Sequence, residues 1–156
     1  MKILALEFSS EQRSAAIAAR ESDECKILSS VFETGGRSTR AVSLIERALA
    51  EALLEREAID CIAVGIGPGS YTGIRAGIAL TQGWQLATGI KVLAISSVEA
   101  LTLRAQLQNL HGTVTIVVDA QKNEFYLATY EISAERIVEM VPLHLTSRAA
   151  VEELAT

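Results

Sequence analysis

Hydrophobic and polar positions change rhythm several times along the chain, and each change marks an element. Ile3 to Leu6 is a short apolar run ending at Glu7, which predicts a buried strand. Ser9-Ser10-Glu11-Gln12 is a polar turn. Ser14 to Ala19 and Lys26 to Phe32 predict two more strands before Gly35-Gly36 breaks the chain, so the three form an antiparallel meander. Apolar residues then recur at helical spacing through Ala41, Leu44, Ile45, Ala48, Leu49, Ala52 and Leu53. They predict a helix from Ser38 to Glu55, capped by Ser38 or Thr39. Ile59 to Val64 is continuously apolar, as expected of a parallel strand covered on both faces. A glycine-rich loop delivers the chain into a second helix, Thr72 to Thr88. A strand at Val92 to Ile95 follows, and then a third helix, capped by Ser96 or Ser97 and stopping at Gly112.

The order βββαβαβα predicts an α/β fold of the ribonuclease-H-like kind, with helices on a mixed sheet. The next segment starts the pattern again. Thr115 to Val118 ends in Asp119, as Ile3 to Leu6 ends in Glu7. A polar turn, Gln121 to Glu124, leads into an alternating strand, Phe125 to Glu131. A third strand at Ile137 to Val141 and a helix capped by Thr146 or Ser147 complete the segment. The expected organisation is a first lobe over residues 1–112 and the start of a second, incomplete lobe over 113–156.

Composition narrows the chemistry. Of 156 residues, 49% are hydrophobic but only 4% aromatic, so the core is built from Ala, Leu, Ile and Val. The formal net charge is −5 and no Lys/Arg cluster interrupts it, which argues against autonomous binding to a nucleic-acid backbone. Cys25 and Cys61 are too few for a disulfide framework, and Cys61 lies in an apolar run where a buried thiol is expected. No apolar stretch approaches the roughly 20 residues of a membrane span, and Met1 leads straight into a strand pattern, so a cytoplasmic protein is expected.

Gly65-Ile66-Gly67-Pro68-Gly69-Ser70 is the most informative stretch. Its glycines permit backbone angles closed to other residues, and a helix starts directly after it. Gly67, Gly69, Ser70, Tyr71, Thr72 and Gly73, with Arg75 in the first turn, form a candidate anion site. Tight strand-to-helix packing explains the same glycines without any ligand. Glu7 and Asp119 end the first strands of the two repeats and are candidates to hold a metal–phosphate unit, or simple turn residues. His111 and His144 are isolated, so no metal site is built from them. No nucleophile–base pair can be assembled, and no catalytic residue is assigned.

Gly65 to Arg75, read as GIGPGSYTGIR, resembles the signature loop of the TsaB family. Ile3-Leu4-Ala5-Leu6, Ser96-Ser97-Val98-Glu99-Ala100-Leu101, and Val118-Asp119-Ala120 with Glu124-Phe125-Tyr126 resemble further family segments in order. The resemblance implies the duplicated fold of the actin, Hsp70 and sugar-kinase superfamily. It further implies a non-catalytic subunit that pairs with a TsaD-type catalytic subunit and a TsaE-type ATPase to form N6-threonylcarbamoyladenosine at position 37 of tRNA. Homodimers in isolation, only indirect tRNA contact, and ATP or ADP at a partner interface alone are implied too. A nucleotide-binding enzyme of the same superfamily is the alternative. The chain departs from the family in having Glu7 where Asp is usual, and Arg37-Ser38-Thr39 where His-Ser-Glu is usual. Family members also usually continue further.

On helical wheels, the apolar sectors of the first two helices span about 180°, wider than the stripe of roughly 100° that one buried face requires. The excess points to an interface through Ala41, Ile45, Ala48 and Ala52 on the first helix, and through Gly73, Ala76, Gly77, Leu80 and Trp84 on the second, unless the third helix or the second lobe covers those faces.

Overall fold

The computed structural model describes residues 1–22, 24–34 and 40–154. They divide into two compact units, Met1–Ile95 and Ser96–Thr156.

In the first unit, β1 (Lys2–Glu7), β2 (Gln12–Glu21) and β3 (Glu24–Thr34) form the expected meander. β4 (Cys61–Gly65) pairs parallel with β1, and β5 (Lys91–Ile95) parallel with β4, giving the order β3-β2-β1-β4-β5. This is the ribonuclease-H-like sheet. Because β1 and β4 pair Leu4 with Ile62 and Leu6 with Val64, while β1 and β2 pair Leu4 with Ile17 and Leu6 with Ala15, one face is wholly apolar. Those residues are at most 4% exposed.

Helices α1 (Ala41–Glu51) and α2 (Tyr71–Thr88) seal that face, α1 over β2 and β3, α2 over β1, β4 and β5. Helix α1 is shorter than its apolar periodicity predicts. Leu53 takes a left-handed φ of 56°, Leu53 N–H donates to the Ala50 carbonyl at 3.1 Å, and Leu54 N–H reaches the Leu49 carbonyl at 3.0 Å. This paired closure ends a helix, usually with glycine at the left-handed position, and turns the next apolar residue back onto the core. Leu54 packs there, while Leu53 is 91% exposed. The predicted caps Ser38 and Thr39, and the Arg37-Ser38-Thr39 departure, lie outside the described residues. A short 3-10 turn, Arg56–Ala58, then leads into β4.

The second unit holds α3 (Ser97–Leu107), β6 (Gly112–Gln121), β7 (Glu124–Ile132), β8 (Ile137–Ser147) and α4 (Arg148–Leu154). Its sheet, in the order β6-β7-β8, repeats the meander of the first. Two expectations are corrected here. The boundary falls after Ile95 rather than after Gly112, because Val98 and Ala105 of α3 are buried with Ala128, Tyr130 and Ile132 of β7. Helix α3 also stops before Gly112. Asn109 is left-handed, and Asn109 and Leu110 donate to the carbonyls of Gln106 and Ala105, the closure already seen after α1. β8 runs six residues beyond the expected Val141, as an edge strand that accommodates Pro142.

Candidate functional site: the glycine loop and the start of helix α2

Between β4 and α2 the glycine loop sits beside the turn that joins β1 to β2. Ser70 N–H donates to the Ser9 carbonyl at 2.6 Å, and the Ser70 hydroxyl caps α2 by accepting from Gly73 N–H at 3.3 Å. A Cβ on Gly69 would overlap the Ser9 carbonyl, and one on Gly73 the Phe8 carbonyl. Gly77 faces the Phe8 ring and Val64, where a Cβ would meet carbon atoms at 3.4 Å. Gly67 adopts φ 83°, open to glycine, and precedes Pro68 through a cis peptide. The space beside Gly69 and Gly73 is thus filled by the backbone of Ser9 and Phe8, while Gly67 lies against the Ile74 side chain.

Glu7 lies across the same junction. One carboxylate oxygen accepts from Ser9 N–H at 2.7 Å, and its carboxylate covers Gly65 so closely that a Cβ there would overlap it. Asp119 does the same for the β6–β7 turn, accepting from Gln121 N–H at 2.7 Å. Each end-of-strand carboxylate thus accepts from a backbone N–H in the hairpin turn of its own unit. Among the described residues, no three His, Cys, Asp or Glu side chains come together as a metal site.

The other residues of the candidate anion site line the first turn of α2. Tyr71, Thr72 and Arg75 are exposed. Arg75 Nη1 donates to Tyr71 Oη at 3.1 Å, and the guanidinium carbon lies 5.2 Å from the centroid of the Tyr71 ring. The periodicity placed Arg75 in the first turn, but nothing in it indicated that Tyr71 would hold it.

The residues of the predicted interface divide by burial, and those that the chain itself buries are core rather than open surface. Ala41, Ile45 and Ala48 are at most 7% exposed within the chain itself, and Ser29 Oγ donates to the Ala48 carbonyl at 2.7 Å. Gly73 and Gly77 are buried against the sheet, Leu80 and Trp84 lean on the same core, and Ala52 packs there as well. Ala76 is half-buried. The broad apolar sectors are wide because α1 and α2 share one core, and the residues at their outer margin, Val42 and Leu86, are exposed. A cavity of about 660 Å³ lies at the other end of the unit, between the 3-10 turn and the end of α2, lined in part by Ile59, Asp60, Trp84 and Lys91.

Residues 37–155 match the family model described as TsaD, tRNA N6-adenosine threonylcarbamoyltransferase. Residues along 82% of the chain are 31% identical to the tRNA threonylcarbamoyladenosine biosynthesis protein TsaB of Haemophilus influenzae, over 53% of that protein. The chain belongs to the TsaB family. The TsaB protein of Bacillus subtilis is 30% identical over 67% of the chain and 45% of its own length. Among solved structures, YeaZ from Pseudomonas aeruginosa superposes with a TM-score of 0.79 at 28% identity, covering 94% of this chain and 66% of that one. The chain thus spans about half the length of the two TsaB relatives.

Proposed function

We propose that this TsaB-family chain acts in the formation of N6-threonylcarbamoyladenosine on tRNA as a non-catalytic partner of a TsaD-type catalytic subunit, with a TsaE-type ATPase in the same assembly. The observation that carries the reading is the filled glycine loop. Phe8 and Ser9 backbone occupies the space beside Gly69 and Gly73, and Glu7 takes the turn N–H of Ser9. Packing of this kind supports reading the loop as a brace for the start of α2, with the chemistry supplied by a partner. The names of the relatives supply the pathway, and the net charge of −5 leaves tRNA to another subunit. In this reading the protein works in the cytoplasm, and any ATP or ADP is held at a partner interface.

The test is to add the TsaD-type and TsaE-type subunits encoded in the same genome and unmodified tRNA to an extract of a strain lacking this chain, with and without the purified chain. Modified adenosine should form only when this chain is present, and the chain alone should hydrolyse no ATP above background. ATP hydrolysis by the chain alone that disappears in Glu7→Ala would overturn the non-catalytic reading. Undiminished modification without the chain would overturn the pathway reading.

A further inference from the structure

We propose that the cavity between the 3-10 turn and the end of α2 binds an amphipathic organic cation, an ammonium group carried on an apolar or aromatic body. The inference uses no part of the partner-subunit reading, since the cavity lies at the end of the first unit away from the glycine loop. At about 660 Å³ it falls within the range of roughly 300–1,000 Å³ usual for small-molecule sites. Its lining combines an apolar floor with a polar rim. Ile59 and Ile90 are at most 9% exposed, and Trp84 leans on the core while lining the cavity. An indole attracts cations through its π-face and offers an apolar body a wide contact surface.

The charges around this apolar part favour a positive ligand. Arg56 is already paired, its Nη2 lying 2.9 Å from Glu46 Oε1. Two carboxylates, Glu57 and Asp60, then stand against one ammonium, Lys91, among the lining residues. Asp60 is held in place, because its Oδ2 accepts from Lys2 N–H at 2.6 Å. The carbonyl end of α2 adds to the same sign. Gly89 N–H closes on the Gln85 carbonyl, the last turn of the helix holds no basic residue, and Thr88 and Gly89 line the cavity. Such a helix end favours a cation. An anion would face both carboxylates and the helix end with Lys91 alone to hold it. A metal ion is the poorer fit as well, since no three His, Cys, Asp or Glu side chains converge among the described residues.

Trp84 is the only tryptophan of the chain, so its fluorescence reports on the cavity directly. The experiment titrates the full chain with three probes of similar shape at constant ionic strength: phenethylamine, phenethyl alcohol and hydrocinnamate. The amine should shift the Trp84 emission saturably at millimolar concentration or below. The neutral alcohol should bind at least about fivefold more weakly, and the anionic hydrocinnamate more weakly still. Asp60→Asn and Glu57→Gln should each weaken the amine about two- to fivefold, and Lys91→Met should strengthen it by a similar factor. Calorimetry should show weaker binding in Trp84→Phe. Without probe, the three charge variants should melt with the wild type, since these side chains are exposed and Asn keeps the acceptor for Lys2 N–H. Tighter binding of hydrocinnamate that is lost in Lys91→Met makes the cavity an anion site and overturns the inference. Equal binding of all three probes reduces it to an apolar pocket and overturns it too, as does an emission that no probe moves. None of these readings involves a TsaD-type subunit, so failure of the partner reading leaves them unaltered.

Discussion

Residues that look alike in the sequence have opposite parts in the structure, and glycine shows it best. Gly73 lies against the Phe8 carbonyl, whereas Gly83, ten residues along the same helix, has nothing within 4 Å of where a Cβ would be. Gly73→Ala should therefore destabilise the chain by about 2–3 kcal/mol, because backbone cannot yield as a side chain would. Gly83→Ala should stabilise it by about 0.5–1 kcal/mol through helix propensity alone. Urea unfolding of the two variants measures both signs. Tyr130 offers a second test. It is buried in the second unit, and burial first, then the nearby Glu139 and Glu99 carboxylates, raises its pKa above the usual tyrosine value of 10.0. The unfolded chain gives up this proton at lower pH than the folded one. The stabilisation is thus complete below pH 10 and falls away as pH rises through the folded pKa. Between pH 9 and 11 the wild type should lose more stability than Tyr130→Phe, read by denaturant unfolding at each pH.

At the scale of elements, the strands were legible because their apolar runs are short and bounded by polar turns, and β1 to β7 fall where that pattern puts them. Helix ends were less legible. Leu53 carries no mark of a left-handed terminus, since an exposed leucine continues the helical spacing as well as it ends it. Glycine is the usual signal there, and Leu53→Gly should stabilise the chain by up to about 1 kcal/mol in thermal or chemical unfolding. The width of the apolar sectors on α1 and α2 has a related cause. Helical spacing shows which residues are apolar but not how many neighbours share them, and α1 and α2 meet one sheet side by side. Ala48 is fully buried beside Ser29, so Ala48→Arg should destabilise the monomer by about 3–5 kcal/mol rather than dissociate a folded one. Circular dichroism with sedimentation on the same sample separates the two outcomes. The glycine loop was visible as a feature, but whether its space was empty depended on Phe8 and Ser9, nearly sixty residues earlier in the chain.

For the whole molecule, the repeat in the sequence and the cohesive units in space have different borders. The repeated pattern restarts near Gly112, yet α3 is packed with β7 and joins the second unit directly after Ile95. Units held together by their own buried contacts open and close as units. Amide hydrogen exchange therefore gives the border an observable form. The amides of α3 should exchange with the protection of β7, and should change with it when Ile132→Ala loosens the second unit. The amides of β4 should keep their protection in that variant, although in sequence α3 belongs to the same copy of the repeat as they do. If α3 instead followed β4, the border of the sequence pattern would govern how the chain opens. The expected result means that a helix the sequence pattern groups with one half shares the fate of the other.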